Sequence, residues 1–83
     1  MITVLFFAKV REDLDCRSLQ VSAQGLLTIA DLKRSLIAAH GGRWQQVLEA
    51  SNLICACNQQ VVEADSAIKD GDEVAFYPPV TGG

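Results

Sequence analysis

Eighty-three residues, 49% of them apolar and 20% charged, suit one globular domain with a single core rather than a disordered chain. A formal net charge of −3 with no basic stripe argues against nucleic acid as a partner. No apolar run approaches the ~20 residues needed to cross a bilayer, and the opening Met1-Ile2-Thr3-Val4-Leu5-Phe6-Phe7 lacks a basic leader, so no membrane partner and a cytoplasmic location are expected.

Residues Ile2 to Ala8 form a β-rich apolar run, a first strand. Lys9 to Asp13 is charged and reads as a turn. Arg17 to Ala23 alternates, with Leu19 and Val21 on one side and Ser18, Gln20 and Ser22 on the other, as a half-buried second strand does. Thr28 occupies an N-cap position with Asp31 three residues on, a capping box that also places negative charge in the first helical turn. Ile29, Leu32, Leu36 and Ala39 then recur at helical spacing until Gly41-Gly42 ends the helix. His40 falls in the last turn, where it suits the helix dipole.

Arg43 to Ala50, with Trp44, Val47 and Leu48 on one side, predicts a short second helix. Leu53 to Cys57 and Val61 to Glu63 are short strands around an Asn58-Gln59-Gln60 turn. Asp70-Gly71 makes another turn before the last strand, Glu73 to Tyr77. An odd count of three cysteines excludes a complete disulfide framework. Cys55 and Cys57 share one strand face and read as small buried side chains; with His40 the only imidazole, no metal site is expected.

The first and last strands are both too apolar to be edges. Side by side and parallel in the centre, with one main helix and a short second helix over one face, they define an α+β, β-grasp (ubiquitin-like) fold with a mixed five-stranded sheet. Period-two alternation sends Ile2, Val4, Phe6, Val74 and Phe76 toward the helix. Leu5, Phe7, Ala75 and Tyr77 are left together on the open face, an apolar patch suited to a protein interface, with Arg11 as a charged anchor at its rim.

Residues 78–83, Pro78-Pro79-Val80-Thr81-Gly82-Gly83, follow the body of residues 1–77 as a flexible tail. Two prolines remove two backbone donors, so the segment leaves the sheet as an extended arm. Gly82 and Gly83 let a backbone enter a channel too narrow for any Cβ. No set of side chains assembles into a catalytic site, and no cofactor of its own is expected. The terminal carboxylate of Gly83 is the group left to do chemistry. Such a carboxylate is a poor acyl donor until ATP converts it to an acyl-adenylate, from which a sulfur nucleophile displaces AMP.

The start Val4-Leu5-Phe6-Phe7-Ala8-Lys9-Val10-Arg11-Glu12 and the end Asp70-Gly71-Asp72-Glu73-Val74-Ala75-Phe76-Tyr77-Pro78-Pro79-Val80-Thr81-Gly82-Gly83 resemble the small subunit of molybdopterin synthase. The cysteines depart from that pattern. The resemblance implies a ubiquitin-like sulfur carrier for molybdenum cofactor biosynthesis. Gly83 would be adenylated by a ubiquitin-activating-like adenylyltransferase that uses ATP, then thiocarboxylated with sulfur from a sulfurtransferase or cysteine desulfurase. The large synthase subunit would take up the tail, and sulfur would pass to cyclic pyranopterin monophosphate within a heterotetramer. Phe7, Arg11 and Tyr77 would contribute to docking, and Pro78, Pro79, Val80, Thr81 and Gly82 would form the inserted arm. Rival readings are a thiamine-type sulfur carrier, a ubiquitin-like protein modifier and a binding domain with an inert tail.

Overall fold

β1 (Ile2–Phe6) and β5 (Glu73–Tyr77) run parallel at the centre of a five-stranded sheet in a computed structural model that describes residues 1–79. Their register sets Val4 beside Val74 and Phe6 beside Phe76. Among the described residues the strand order is β2-β1-β5-β3-β4, where β2 is Ser18–Val21, β3 Ile54–Cys57 and β4 Gln60–Val62. All other neighbouring pairs are antiparallel. This is the mixed β-grasp sheet expected from the two apolar terminal strands.

The alternation expected along β1 and β5 holds on the helix side. Ile2, Val4, Phe6, Val74 and Phe76 are all buried, and Phe6 stacks on Phe76 with ring centroids 5.9 Å apart. Three helices cover this face among the described residues: α1 (Ala8–Leu14), α2 (Ile29–His40) and α3 (Gly42–Leu48). The main helix, α2, opens on the predicted capping box. Asp31 N–H donates to Thr28 Oγ1 over 3.2 Å, and the Asp31 carboxylate accepts from the Thr28 and Leu27 amides at 3.1 and 2.9 Å. The Leu27 amide leads in holding that carboxyl below its usual range. Ile29, Leu32 and Leu36 are buried as the spacing implies, but Ala39, in the last turn, is exposed.

Gly41, at φ +91°, closes α2 through its N–H to the Ile37 carbonyl at 2.8 Å and caps α3 as well. This one-residue junction stacks His40 on Trp44, ring centroids 3.9 Å apart and planes nearly parallel. Trp44 in turn meets Phe6 edge-on at 5.3 Å, so the indole plugs the core between sheet and solvent.

One helix was not expected. Lys9 to Asp13, read from its charge as a turn, is the centre of α1. Only Val10 and Leu14, one helical turn apart, face the core; the other side chains of the run point outward, with Lys9 and Asp13 paired at 3.3 Å. Two apolar residues are enough because α1 rests on α3 and β5 rather than standing alone. Ala8, at φ +52°, turns the chain out of β1 into α1, and Asp15, at φ +51°, ends the helix with its N–H toward the Arg11 and Glu12 carbonyls.

The β3–β4 hairpin turns on Asn58 and Gln59, both at positive φ, as a tight two-residue turn requires. Gln60 belongs to β4 rather than to the turn, since it pairs with Cys57.

Candidate functional site

β1 and β5 are parallel neighbours, so they end at the same edge of the sheet. There Phe7 and Tyr77 lie next to each other on the face opposite the helices, ring centroids 5.3 Å apart and tilted by 39°. Phe7 is 41% exposed and Tyr77 is half-buried. The structure thus brings together the aromatic pair that the alternation places on the open face, at the root of the C-terminal arm.

The rest of that face differs in detail from the expected patch. Leu5 is half-buried, but Ala75 is only 7% exposed. Its methyl group lies below the larger side chains around it and forms floor rather than contact surface. Register extends the face further: Ala75 pairs with buried Ala56, Ala56 pairs with Val61, and Ile54 pairs with Tyr77. Val61, 75% exposed on β4, is a member of this open face the sequence did not reveal, because only cross-strand register links it to Tyr77 through the alanine floor. The face is a shallow apolar dish with Ala56 and Ala75 at the bottom and Leu5, Phe7, Ile54, Val61 and Tyr77 around it.

Arg11 sits on α1, not on a turn. It is exposed, its backbone amide reaches the Phe7 carbonyl at 3.4 Å, and no carboxylate pairs with its guanidinium among the described residues. Its place one helical turn beyond Phe7 fits the rim position. Pro78 and Pro79 are half-buried and line a groove of about 350 Å³ on the helix side of the sheet. Val10, Val47 and Leu53 supply its other apolar walls. Val80, Thr81, Gly82 and Gly83 lie outside the described residues.

Cys55 and Cys57 are not reactive by environment. Burial pushes the Cys55 thiol up to about 11. Cys57 is also raised, first by burial and then by the neighbouring Asp72 carboxylate, toward which its Sγ points at 3.6 Å. Asp72 itself is not a solvated surface carboxylate. It is only 7% exposed, and its carboxylate accepts from the Lys69 amide at 2.9 Å and from Asn58 Nδ2 at 3.1 Å. These donors, the Asn58 amide foremost, hold its carboxyl below the usual range. Its position just before β5, at the end opposite the arm, makes it an anchor for the fold and not part of the open apolar face.

A β-grasp body whose central strand leads straight into a double-proline arm, with an open apolar dish at its root, places the chain among the ubiquitin-like proteins. A ThiS family profile matches residues 4–83, and the chain belongs to that family. It is 46% identical over the full length of both chains to the molybdopterin synthase sulfur carrier subunit of Escherichia coli (strain K12). It is 41% identical, again over the full length of both, to the subunit of the same name from Haemophilus influenzae. The crystal structure of small archaeal modifier protein 1 from H. volcanii superposes with a TM-score of 0.75 at 25% identity, covering 95% of this chain and 97% of that one.

Proposed function

We propose that this chain is the sulfur carrier subunit of a molybdopterin synthase, with residues 1–77 as the body and residues 78–83 as the arm that carries the sulfur. One observation carries the reading: the likeness to two molybdopterin synthase sulfur carrier subunits runs the whole length of both chains, through the final Gly-Gly.

The chemistry follows from the one group the body leaves available. In an activating enzyme, the Gly83 carboxylate oxygen attacks the α-phosphorus of ATP and pyrophosphate leaves. A sulfur nucleophile supplied by a sulfurtransferase or cysteine desulfurase then attacks the acyl carbon. AMP departs with the former carboxylate oxygen, and where the nucleophile is the donor's persulfide an acyl disulfide results. A thiol then attacks the donor-side sulfur, forming a disulfide with the donor and releasing the C-terminal thiocarboxylate. The charged arm enters the large synthase subunit, where its sulfur passes to the pterin precursor, cyclic pyranopterin monophosphate. In this reading the body contributes no acid, base or nucleophile. Phe7, Tyr77, Val61 and Arg11 hold it against the partner, while Pro78 and Pro79 aim the arm and Val80, Thr81 and Gly82 span the channel.

Intact-mass measurement after incubation with ATP, the activating enzyme and a sulfur source tests this directly. A gain equal to one oxygen replaced by sulfur at the C-terminus is expected. A chain that stays unmodified under conditions that load the Escherichia coli subunit would end the proposal.

The likeness to an archaeal modifier favours one other reading, in which Gly83 is joined to lysine amines of other proteins. Ladders of conjugates in cell extract, absent from a strain carrying the chain without Gly83, would select it. A free thiocarboxylated chain selects the carrier.

A further inference from the structure

The arm leaves the body between two apolar surfaces. On one side lies the open dish with Phe7 and Tyr77; on the other lies the groove whose walls include Pro78 and Pro79 themselves. Only the first belongs to the docking surface described above.

We infer that the groove between α1, α3 and the arm root is a second docking surface for the synthase subunit that takes up the arm, and that it receives an apolar side chain of that subunit. The inference rests on the sulfur carrier reading. Its first support is continuity. Tyr77 on the dish and Pro78 in the groove are consecutive, and Phe7 precedes Lys9 and Val10 of the groove by one turn of chain. A partner that closes around the arm must therefore meet both surfaces at once.

The second support is composition. Val10, Val47, Leu53 and the two prolines make an apolar interior, with Gln46 and Asn52 at its edge. An apolar pocket inside a polar rim is how the strongly contributing centre of a protein interface is built. The rim charges Lys9 and Asp13 pair with each other at 3.3 Å, so covering the groove leaves neither without a partner. The volume of about 350 Å³ is within the range of clefts that accept a bulky group. The α1 and α3 walls of the groove are held independently of the arm, since Val10 and Leu48 fix α1 and α3 in the core and Arg43 of α3 donates to the Asp13 carbonyl of α1 at 3.4 Å.

The test fills the groove from exposed rim positions. Ala50→Trp and Gln46→Trp change residues outside the core, so both variants should melt with the unaltered chain. Binding of each full-length variant to the second synthase subunit is measured by titration calorimetry. Adenylation by the activating enzyme is followed in parallel. The expected result is a loss of affinity of about tenfold or more for both variants, the effect of removing one well-buried contact, with adenylation unchanged. Wild-type affinity in both variants overturns the groove while leaving the sulfur carrier reading intact, provided Phe7→Asp still weakens binding. Equal loss of adenylation and binding assigns the effect to a displaced arm and also overturns it. No binding by the unaltered chain removes the reading beneath the inference as well.

Discussion

Asn58 and Asp72 tie the β3–β4 turn to the start of β5: Asn58 Nδ2 donates to the Asp72 carboxylate over 3.1 Å, and Asn58 Oδ1 accepts from the Glu73 amide over 3.0 Å. The Asn58 backbone adds a third link, its N–H to the Glu73 carbonyl at 2.8 Å. Asn at this position serves two needs at once, a left-handed backbone and an amide aimed at a buried carboxylate.

Replacing Asn58 with Ala removes one of the two nitrogen donors to that carboxylate, leaving the Lys69 amide, and places a residue less tolerant of positive φ in the turn. A loss of about 1–3 kcal/mol in stability is expected from the unmet hydrogen bonds, read from the midpoint of urea unfolding. A midpoint equal to that of the unaltered protein would show that the clamp contributes nothing.

The same clamp makes stability depend on acid. The folded state holds the Asp72 carboxyl below the ordinary aspartate value. As pH falls below that value the unfolded chain takes up the proton first, so the unfolded state is favoured. The Asp72 contribution is therefore fully present above that value and disappears as pH falls through the folded-state pKa. Asp72→Asn should flatten the acid limb of a stability-against-pH curve; an unchanged limb would place the acid sensitivity elsewhere. Asp31, lowered chiefly by the Leu27 amide, acts in the same direction and serves as the comparison variant.

At the docking face, Phe7→Asp should weaken binding to the large synthase subunit by about tenfold or more, because full burial of an aromatic side chain is worth about 1.5–3 kcal/mol. Val61→Asp should act in the same sense although it lies on another strand. With both side chains exposed in the free protein, melting temperatures should change little. Calorimetric titration against the partner decides it, and wild-type affinity for Phe7→Asp would refute the face.

Deleting Gly83 should abolish loading with sulfur while the circular dichroism spectrum and melting temperature stay unchanged, since the core is built from residues of the body. Sulfur loading that survives the deletion would show that the reactive carbonyl is not where it is proposed to be.

Native alkylation with iodoacetamide near neutral pH should leave Cys55 unmodified, for it is buried and its thiol is raised to about 11. Unfolding should expose it to rapid modification. Peptide mapping of the labelled protein reads the difference, and prompt native labelling of Cys55 would mean that β3 opens readily.

Where interactions are local, residue order alone was informative. Thr28 and Asp31 are three positions apart, so their capping box and the helix behind it could be read directly, as could the double proline that takes the chain out of the sheet. The alternation of β1 and β5 separated core from open face because pleating is a property of each strand. Features assembled from distant segments were hidden. Asp72 looks like any acidic turn residue until Asn58, fourteen positions away, is brought beside it. The α1 helix has too little apolar surface to announce itself and forms because α3 and β5 give Val10 and Leu14 somewhere to go. Val61 joins the open apolar face, and the groove meets the arm, only through strand register and helix packing. Those are set by the global burial of apolar surface, which no local pattern encodes.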